Sequence, residues 1–600
     1  MNLNIMKRRS TPTFLFCWHD FIMDNNKNNM PRPEYPRPDL VRSDWMNLNG
    51  EWDYITDRGL SGFERGYQNG DGFNEKIIVP FCRESTLSGI GDVDFCSCVW
   101  YKKQIEIPEN IISSGKRTIL HIGACDYQTD VFVNGKHVGT HTGGYVSFSF
   151  DITSETVAGS NLIIIRAEDN TRSPRQATGK QRDRFHSYGC LYTGTTGIWQ
   201  TVWLEFVPGT YITKVKYYPD IDSCRLTAQV FVSDDKVKEV SAIAKYNGKV
   251  VGEARAKTFL GKAKLEIMLS ELHLWEVGNG RLYDIDIYAG DDKVSGYFGM
   301  RQIDVKDGIM YLNGSPVFQR LVLDQGFYPD GIYTAPTLEA LHRDVDLSME
   351  MGFNGARLHQ KVFEPLFLEY CDRKGYIVWG EHANWGMAHN GDSPYAEFLS
   401  EWCEIIERDF NHPAIIGWCP LNETPADSSY KFMKTLSDIT RAYDPTRLYI
   451  DASGWKHQSG LTDIVDMHDY NQDPVSFKAK LDGVLRGSLI NLHEIYGNSS
   501  VDFYERPTFV SEYGGTWWEE NAQSGWGYGN SPKDEEEFKY RFKGLTEAIM
   551  NCPYMGALCY TQLTDVEQEK NGLYTYDRKP KFSPDFFKKV LSQTAQSEKN

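Results

Sequence analysis

No apolar run in this 600-residue chain approaches the ~18 residues a helix needs to cross a bilayer, so a membrane partner is not expected. A secretion signal is incomplete as well: Lys7-Arg8-Arg9 precede Phe14-Leu15-Phe16-Cys17-Trp18, but His19 and Asp20 end the apolar stretch too early. A cytoplasmic or periplasmic location fits this, with residues 1–37 expected as a disordered leader. Basic clusters are missing too. With 82 Asp and Glu against 64 Lys and Arg, the formal net charge is −18, the wrong sign for a phosphate backbone, and nucleic acid is not an expected partner. The 12 cysteines include no Cys-x-x-Cys pair, and the close pair Cys96 and Cys98 lacks zinc spacing and partner histidines. His-x-His and His-Glu-x-x-His are absent. His359, His382 beside Glu381, and His389 are therefore read as substrate or solvent contacts, and neither a metal nor another cofactor is expected. Homo-oligomerisation is left open.

What the chain does have is enough apolar sequence for several cores: 40% is hydrophobic and 13% aromatic. From Trp45 to about Pro208, short alternating runs such as Val99-Trp100-Tyr101-Lys102-Lys103-Gln104-Ile105 are separated by turns, which predicts an antiparallel sandwich over 38–208. Asn134-Gly135 between two apolar runs predicts a type I′ hairpin. A second all-β unit, without a Cys-Trp-Cys signature, is expected over 209–305 as an immunoglobulin-like sandwich. After Gly314 apolar strands alternate with helical stretches. Eight strands can be counted: Phe318 to Leu323, Asn354 to Leu358, Tyr376 to Trp379, Ala414 to Trp418, Leu448 to Ile450, Ile464 to Met467, Thr508 to Ser511 and Gly556 to Tyr560. A (β/α)8 barrel over 306–600 follows. One helix face in it is marked by Leu338, Leu341, Val345 and Met349.

Two of these strands end in polar residues, where a parallel barrel places its chemistry. One runs into Asn422-Glu423 and another into Glu512-Tyr513-Gly514. A pair of strand-ending glutamates suggests cleavage of a glycosidic bond. Arg357 and His359 end the second strand, where an arginine holds a neighbouring carboxylate ionised and the histidine is a supporting partner. Asp324 ends the first strand as an acceptor for sugar hydroxyls. Trp517 or Trp518 is expected as a stacking platform, and His468 as a sugar contact.

The chain resembles glycoside hydrolase family 2 from about residue 38 to 590. The phrases that carry this include Leu48-Asn49-Gly50-Glu51-Trp52, Val133-Asn134-Gly135, Gly197-Ile198-Trp199-Gln200, Leu312-Asn313-Gly314, Asn422-Glu423 and Ser511-Glu512-Tyr513-Gly514. The resemblance implies a jelly-roll sugar-binding-like domain, an immunoglobulin-like domain and a catalytic TIM barrel. It also implies that Glu423 is the acid/base, Glu512 the nucleophile and Asn422 the partner of the sugar's 2-hydroxyl; Tyr470, after the sixth strand, is a candidate for a phenol bonded to the nucleophile. The sequence departs from the family wording at Asp324 and at Gly380, which stands where the family has Asp, so the role of Glu381 stays open.

The expected function is that of a retaining exo-glycoside hydrolase acting by double displacement on a neutral terminal sugar, first a β-galactoside. Glucuronide, galacturonide, mannoside, arabinoside and galactofuranoside are alternatives. Neutrality is expected because the Asn-x-Lys of family glucuronidases is replaced by Glu569, Lys570 and Asn571. The rival from another class is a silent carbohydrate-binding protein, which would not need a carboxylate pair. In the free protein, Glu423 is expected to have its pKa raised by the charge of Glu512.

Overall fold

In the computed structural model of the protein, residues 30–389, 395–425, 428–455, 457–458, 460–485, 506–519 and 525–599 are described. Alternating burial in the first domain closes a four-stranded sheet over a six-stranded one. The long strands Cys98–Ile107 and Gly159–Glu168 pair antiparallel along their whole length. Between the sheets lie Trp52, Tyr101, Leu120, Ile163, Ile165 and Leu204, each such buried side chain contributing about 1.5–3 kcal/mol. The expected hairpin is present: Asn134 (φ 50°) and Gly135 (φ 78°) both take the left-handed backbone that a type I′ turn requires, between Gln128–Val133 and Lys136–Thr142.

The second sandwich packs a three-stranded sheet on a four-stranded one. Strict alternation along Lys262–Met268 turns every second residue inward, Ala263, Leu265 and Ile267 being buried. Buried Arg42 fastens this domain to the first, pairing with Glu205 (2.8 Å) and Asp292 (2.9 Å). The expected leader over 1–37 does not hold for residues 30–37. Its residues 1–29 lie outside the described residues, but Arg32 is 2% exposed and pairs with Glu364 at 2.7 Å, while Asn49 donates to the carbonyls of Pro31 and Arg32. That ion pair ties residues 30–37 to the barrel.

All eight barrel strands form where expected: β1 (Gln319–Asp324), β2 (Gly355–Leu358), β3 (Ile377–Glu381), β4 (Ile415–Cys419), β5 (Leu448–Tyr449), β6 (Val465–Asp469), β7 (Thr508–Gly514) and β8 (Met555–Thr561). They lie in the order β5-β4-β3-β2-β1-β8-β7-β6, every ladder parallel, with no ladder between β5 and β6 among the described residues. Helix α1 (Leu338–Met351) starts on Thr337, whose hydroxyl accepts from Ala340 N–H, and stops at Gly352 (φ 102°). Leu341 and Val345 on its apolar face are buried in the barrel core, with Leu338 and Met349 packed against it. Among the described residues no helix is long and apolar enough to cross a membrane.

Candidate active site

Parallel pairing brings the carboxyl ends of β2, β3, β4, β6 and β7 to one rim, and the polar residues after each strand converge there. Glu423 follows β4 with φ 45°, a left-handed backbone a glutamate adopts only when held. The hold is visible: its N–H donates to Ser453 O (2.8 Å), and the preceding Asn422 exchanges hydrogen bonds with Asn384, N–H to Oδ1 at 2.8 Å and carbonyl from Nδ2 at 3.2 Å. Glu512 sits within β7 and is buried. One carboxylate oxygen of each glutamate and one ring nitrogen of His468 all lie within 4.8 Å of one another.

Arg357, at the end of β2, is the buried hub. It donates to Glu381 Oε1 (2.6 Å), Ser511 O (2.9 Å), Glu512 Oε1 (3.1 Å) and Asn422 Oδ1 (3.2 Å). A planar guanidinium with five donors fits this fan of acceptors, which an ammonium would not span. The bond from Arg357 fixes the orientation of the Asn422 amide, whose buried NH₂ has no partner among the described residues. A donor is thereby aimed for use. Glu381, whose role the sequence leaves open, pairs with both Arg357 and His359 (Nδ1 to Oε2, 3.2 Å). Gly380 shows why the family's aspartate is missing, since a Cβ there would stand 2.6 Å from the Trp418 ring. Burial and the nearby Lys180 cation push the His359 pKa well down, which keeps the imidazole neutral.

Tyr470 donates its hydroxyl to Glu512 Oε2 and stacks flat on Tyr528 at 3.4 Å between centroids. Burial and the Glu512 charge raise its pKa well above the usual phenol range, so it remains a donor. His468 lies between the two glutamates, with Nδ1 2.8 Å from Glu423 Oε1 and Nε2 3.3 Å from Glu512 Oε1.

That ring overturns one expectation. Burial does act to raise the Glu423 pKa, but the hydrogen bond and charge of His468, aided by Lys180 and Arg357, outweigh it and leave the pKa lowered. Repulsion from Glu512 alone predicts the opposite sign, and the group between the two carboxylates decides it. Replacing His468 by Asn should therefore raise the Glu423 pKa. If Glu423 must be protonated to act, activity persists to higher pH and the alkaline limb of the kcat/KM profile moves upward in the variant. A limb that stays in place would show that His468 does not set this protonation.

Asp324 does not join the group. Its buried carboxylate accepts from Gly326 N–H (2.9 Å) and has Asp344, Arg578 and Lys361 as its charged neighbours; burial and Asp344 raise its pKa to about 7. The polar turn after β1 folds that side chain back on its own loop. Both tryptophans are half-buried: Trp518 packs on Phe538 and Phe582, and Trp517 has its indole N–H unpartnered among the described residues. His382, considered for a metal, stacks on Phe398 at 4.2 Å.

Sequence reasoning misses what the first domain brings to this rim. Residues 178–192 dock on the barrel: Thr178 and Gly179 N–H donate to Trp385 O (2.8 and 3.1 Å), and Tyr192 OH donates to Glu569. Lys180, 6% exposed, has its Nζ 3.8 Å above the Trp385 ring and lies within electrostatic reach of Glu569, Glu512 and Glu423. No sequence signal marks such a contact, because its partners lie about two hundred to four hundred residues away along the chain.

Sequence comparison bears on the whole arrangement. The models for the sugar-binding domain and the TIM-barrel domain of glycosyl hydrolases family 2 match residues 90–186 and 303–525. A Formosa agariphila protein assigned as a beta-glucuronidase is 27% identical over 432 residues, covering 67% of this chain and 50% of that one. A Thermoanaerobacter pseudethanolicus beta-galactosidase is 24% identical over 463 residues, covering 73% of this chain and 59% of that one. This chain thus spans between half and three fifths of the length of these two relatives. An uncultured Clostridium beta-glucuronidase of known structure shares the fold, with a TM-score of 0.75 at 20% identity over 92% of this chain and 99% of that one. With its sugar-binding and barrel domains both matched and its strands in the expected order, the chain belongs to glycoside hydrolase family 2.

Proposed function

We propose that the protein is a retaining exo-glycosidase in which Glu512 attacks the anomeric carbon while Glu423 protonates the leaving oxygen. The observation that carries this is the closeness of the two carboxylates, with oxygens within 4.8 Å. A covalent double displacement needs carboxyl groups about 5–5.5 Å apart, whereas direct attack by water needs about 6.5–9.5 Å. In the first step the C–O bond to the aglycone breaks as the Glu512 ester forms, and the proton of Glu423 leaves with the alcohol. In the second, Glu423 takes a proton from water, whose oxygen displaces Glu512. Arg357 and Tyr470 fix and neutralise the nucleophile before attack. The free amide of Asn422 suits the sugar's 2-hydroxyl, where hydrogen bonds strengthen as the ring approaches an oxocarbenium ion. Proton NMR of the first-formed sugar tests the reading: the anomer should match the substrate, and an inverted product would overturn double displacement.

For the sugar, a neutral β-galactoside is favoured. Glu569 is buried, bonded to Tyr192 and Asn571 (2.9 Å), within electrostatic reach of Lys180 and Glu512, and the carboxylates Glu381, Glu423, Glu512 and Glu569 outnumber the cations Lys180 and Arg357 there. A uronate entering there meets like charge in a partly desolvated pocket, at a cost of several kcal/mol. Lys570 has charged neighbours in Asp565 and Lys581. A glucuronide is the second reading, favoured by the buried Lys180 cation. At equal concentration, nitrophenyl β-galactoside should give the higher kcat/KM and nitrophenyl β-glucuronide the lower; the reverse order would reject the neutral sugar.

A further inference from the structure

Beneath the rim lie three buried charged groups that take no part in the chemistry just described. Asp451 and His457 come from the loop after β5, and Asp466 from β6. His457 sits between the two carboxylates, with Nδ1 2.6 Å from Asp451 Oδ1 and Nε2 3.0 Å from Asp466 Oδ1. Asp451 also accepts from the N–H groups of Ala452 (2.9 Å) and Gln458 (2.7 Å), which closes the loop on itself. Burial acts to lower the His457 pKa, but the two aspartates outweigh it and raise it to about 10, so the imidazole is held as a cation. Burial likewise acts to raise the Asp466 pKa, and His457, aided by His468 and Ser453, outweighs it and keeps that carboxylate ionised. Buried charges of this kind seldom add stability over apolar side chains of the same size, so their value lies in what they touch.

Asp466 touches Ser453. The serine hydroxyl donates to Asp466 Oδ2 (2.5 Å) and, having a single proton, presents lone pairs to its other neighbours. One of these is His468 Nε2, 3.1 Å away. Another is Ser511 Oγ at 3.3 Å, which has Met467 O at 3.2 Å as acceptor for its own proton. A ring nitrogen that faces an acceptor must be the donor, and Glu512 Oε1 on the same side, at 3.3 Å, requires the same. Arg357 Nη1 lies 3.5 Å from Nε2 but is spent on Ser511 O and Glu512 Oε1. Nε2 therefore carries a proton, and Nδ1 is aimed at Glu423 Oε1, 2.8 Å away. Gly454, with φ 97°, lets the ring lie this way, since a Cβ there would stand 2.5 Å from His468 Nδ1. The backbone of Ser453 accepts from Glu423 N–H and donates to Leu421 O, both at 2.8 Å. One residue thus seats both Glu423 and the ring beside it.

We infer that Ser453 and Asp466 are positioning residues for the acid/base: they fix the tautomer and the seat of His468, and through its ring they set when Glu423 gives up its proton. This deepens the glycosidase reading above and rests on it. The charged groups facing the ring are Glu423, Glu512, Arg357 and Asp466, with Glu381 and His359 within electrostatic reach and Lys180 acting on Glu423. Among these, Asp466 acts from behind a neutral hydroxyl. With a proton already fixed on Nε2, Nδ1 becomes a donor to Glu423 only as the ring turns cationic, and the Asp466 charge behind Ser453 favours that state. His457 holds Asp466 ionised for this purpose and stands clear of the substrate itself.

Ser453→Ala tests the relay, because it removes the hydroxyl without changing charge and leaves the backbone bonds to Glu423 and Leu421 in place. On whichever nitrophenyl glycoside the wild type cleaves, the alkaline limb of the kcat/KM profile should move upward by roughly half a pH unit, the worth of one hydrogen bond acting at second hand. On a His468→Asn background the same change should move the limb no further, since the ring that carries the effect is gone. A loss at every pH with the limb in place, a limb that moves down, or a shift that persists in full without His468 would overturn the relay. Should Ser453→Ala not fold, Ser453→Cys keeps a side chain there that accepts only weakly and must show the upward shift; its failure to do so is decisive. Carbon-13 NMR titration of the Glu423 carboxyl, identified by its loss in Glu423→Gln, reads the same change without turnover. A titration that moves upward in Ser453→Ala of a protein that cleaves no glycoside keeps the relay and removes the hydrolase; cleavage with an unmoved titration does the reverse.

Discussion

Replacing Glu512 by Ala should abolish turnover of every glycoside, with a loss on the order of 10⁵-fold in kcat, since no other group can form the ester on that face of the sugar. The surroundings make this a test of chemistry rather than of folding. Glu512 accepts from Arg357 and Tyr470, and Arg357 keeps its bonds to Glu381, Ser511 O and Asn422 when the carboxylate is gone. The charge left unmatched is thus shared with Glu381, and thermal unfolding should move by only a few degrees. Alanine also opens a space beside Arg357 that suits a small anion. Azide entering it should attack the anomeric carbon from the vacated face and release a sugar azide of inverted configuration. A Glu512→Ala protein with near-normal turnover would remove the assignment, and recovery without azide-linked product would show that azide acts elsewhere.

Much of this arrangement is legible in the amino-acid sequence, for reasons that differ by element. Barrel strands buried on both faces are short apolar runs that end abruptly in polar residues, and β4 and β7 announce themselves this way through Ile415–Cys419 and Thr508–Gly514. The hairpin at Asn134-Gly135 is legible because two residues decide its backbone locally. Other features depend on what comes close in space. The lowered pKa of Glu423 needs His468 at 2.8 Å, from a strand two further along the barrel; no spacing rule reports which way that ring points. Asp324 shares the strand-end setting of Glu423, yet a turn at Gly326 (φ 62°) claims its carboxylate through a backbone N–H. The packing of residues 30–37 and the reach of Lys180 are the least local. Each depends on how separate domains dock, and hydrophobic periodicity describes only the inside of one domain.

Replacing Glu423 by Ala should separate substrates by the acidity of their leaving groups. A methyl glycoside leaves as methoxide unless protonated, so loss of the acid falls in full on its first step; a dinitrophenolate leaves unaided. The methyl glycoside should therefore lose roughly 10²–10⁴-fold more in kcat/KM than the dinitrophenyl glycoside. The dinitrophenyl substrate should still form the Glu512 ester and then stall, because the same residue is needed to activate water, and a burst of dinitrophenol followed by slow turnover is the expected time course. His468 sharpens the expectation. Its hydrogen bond to Glu423 favours the carboxylate, which suits the second step, where a base is wanted, more than the first. Asn in place of His468 should accordingly change the balance in the direction opposite to Glu423→Ala, helping poor leaving groups relative to good ones at neutral pH. Ala at 423 also leaves the left-handed backbone there without its side-chain anchor to His468, while the N–H bond to Ser453 O remains, so the fold should persist. Equal losses on methyl and dinitrophenyl glycosides, with no burst, would show that the proton comes from a group other than Glu423.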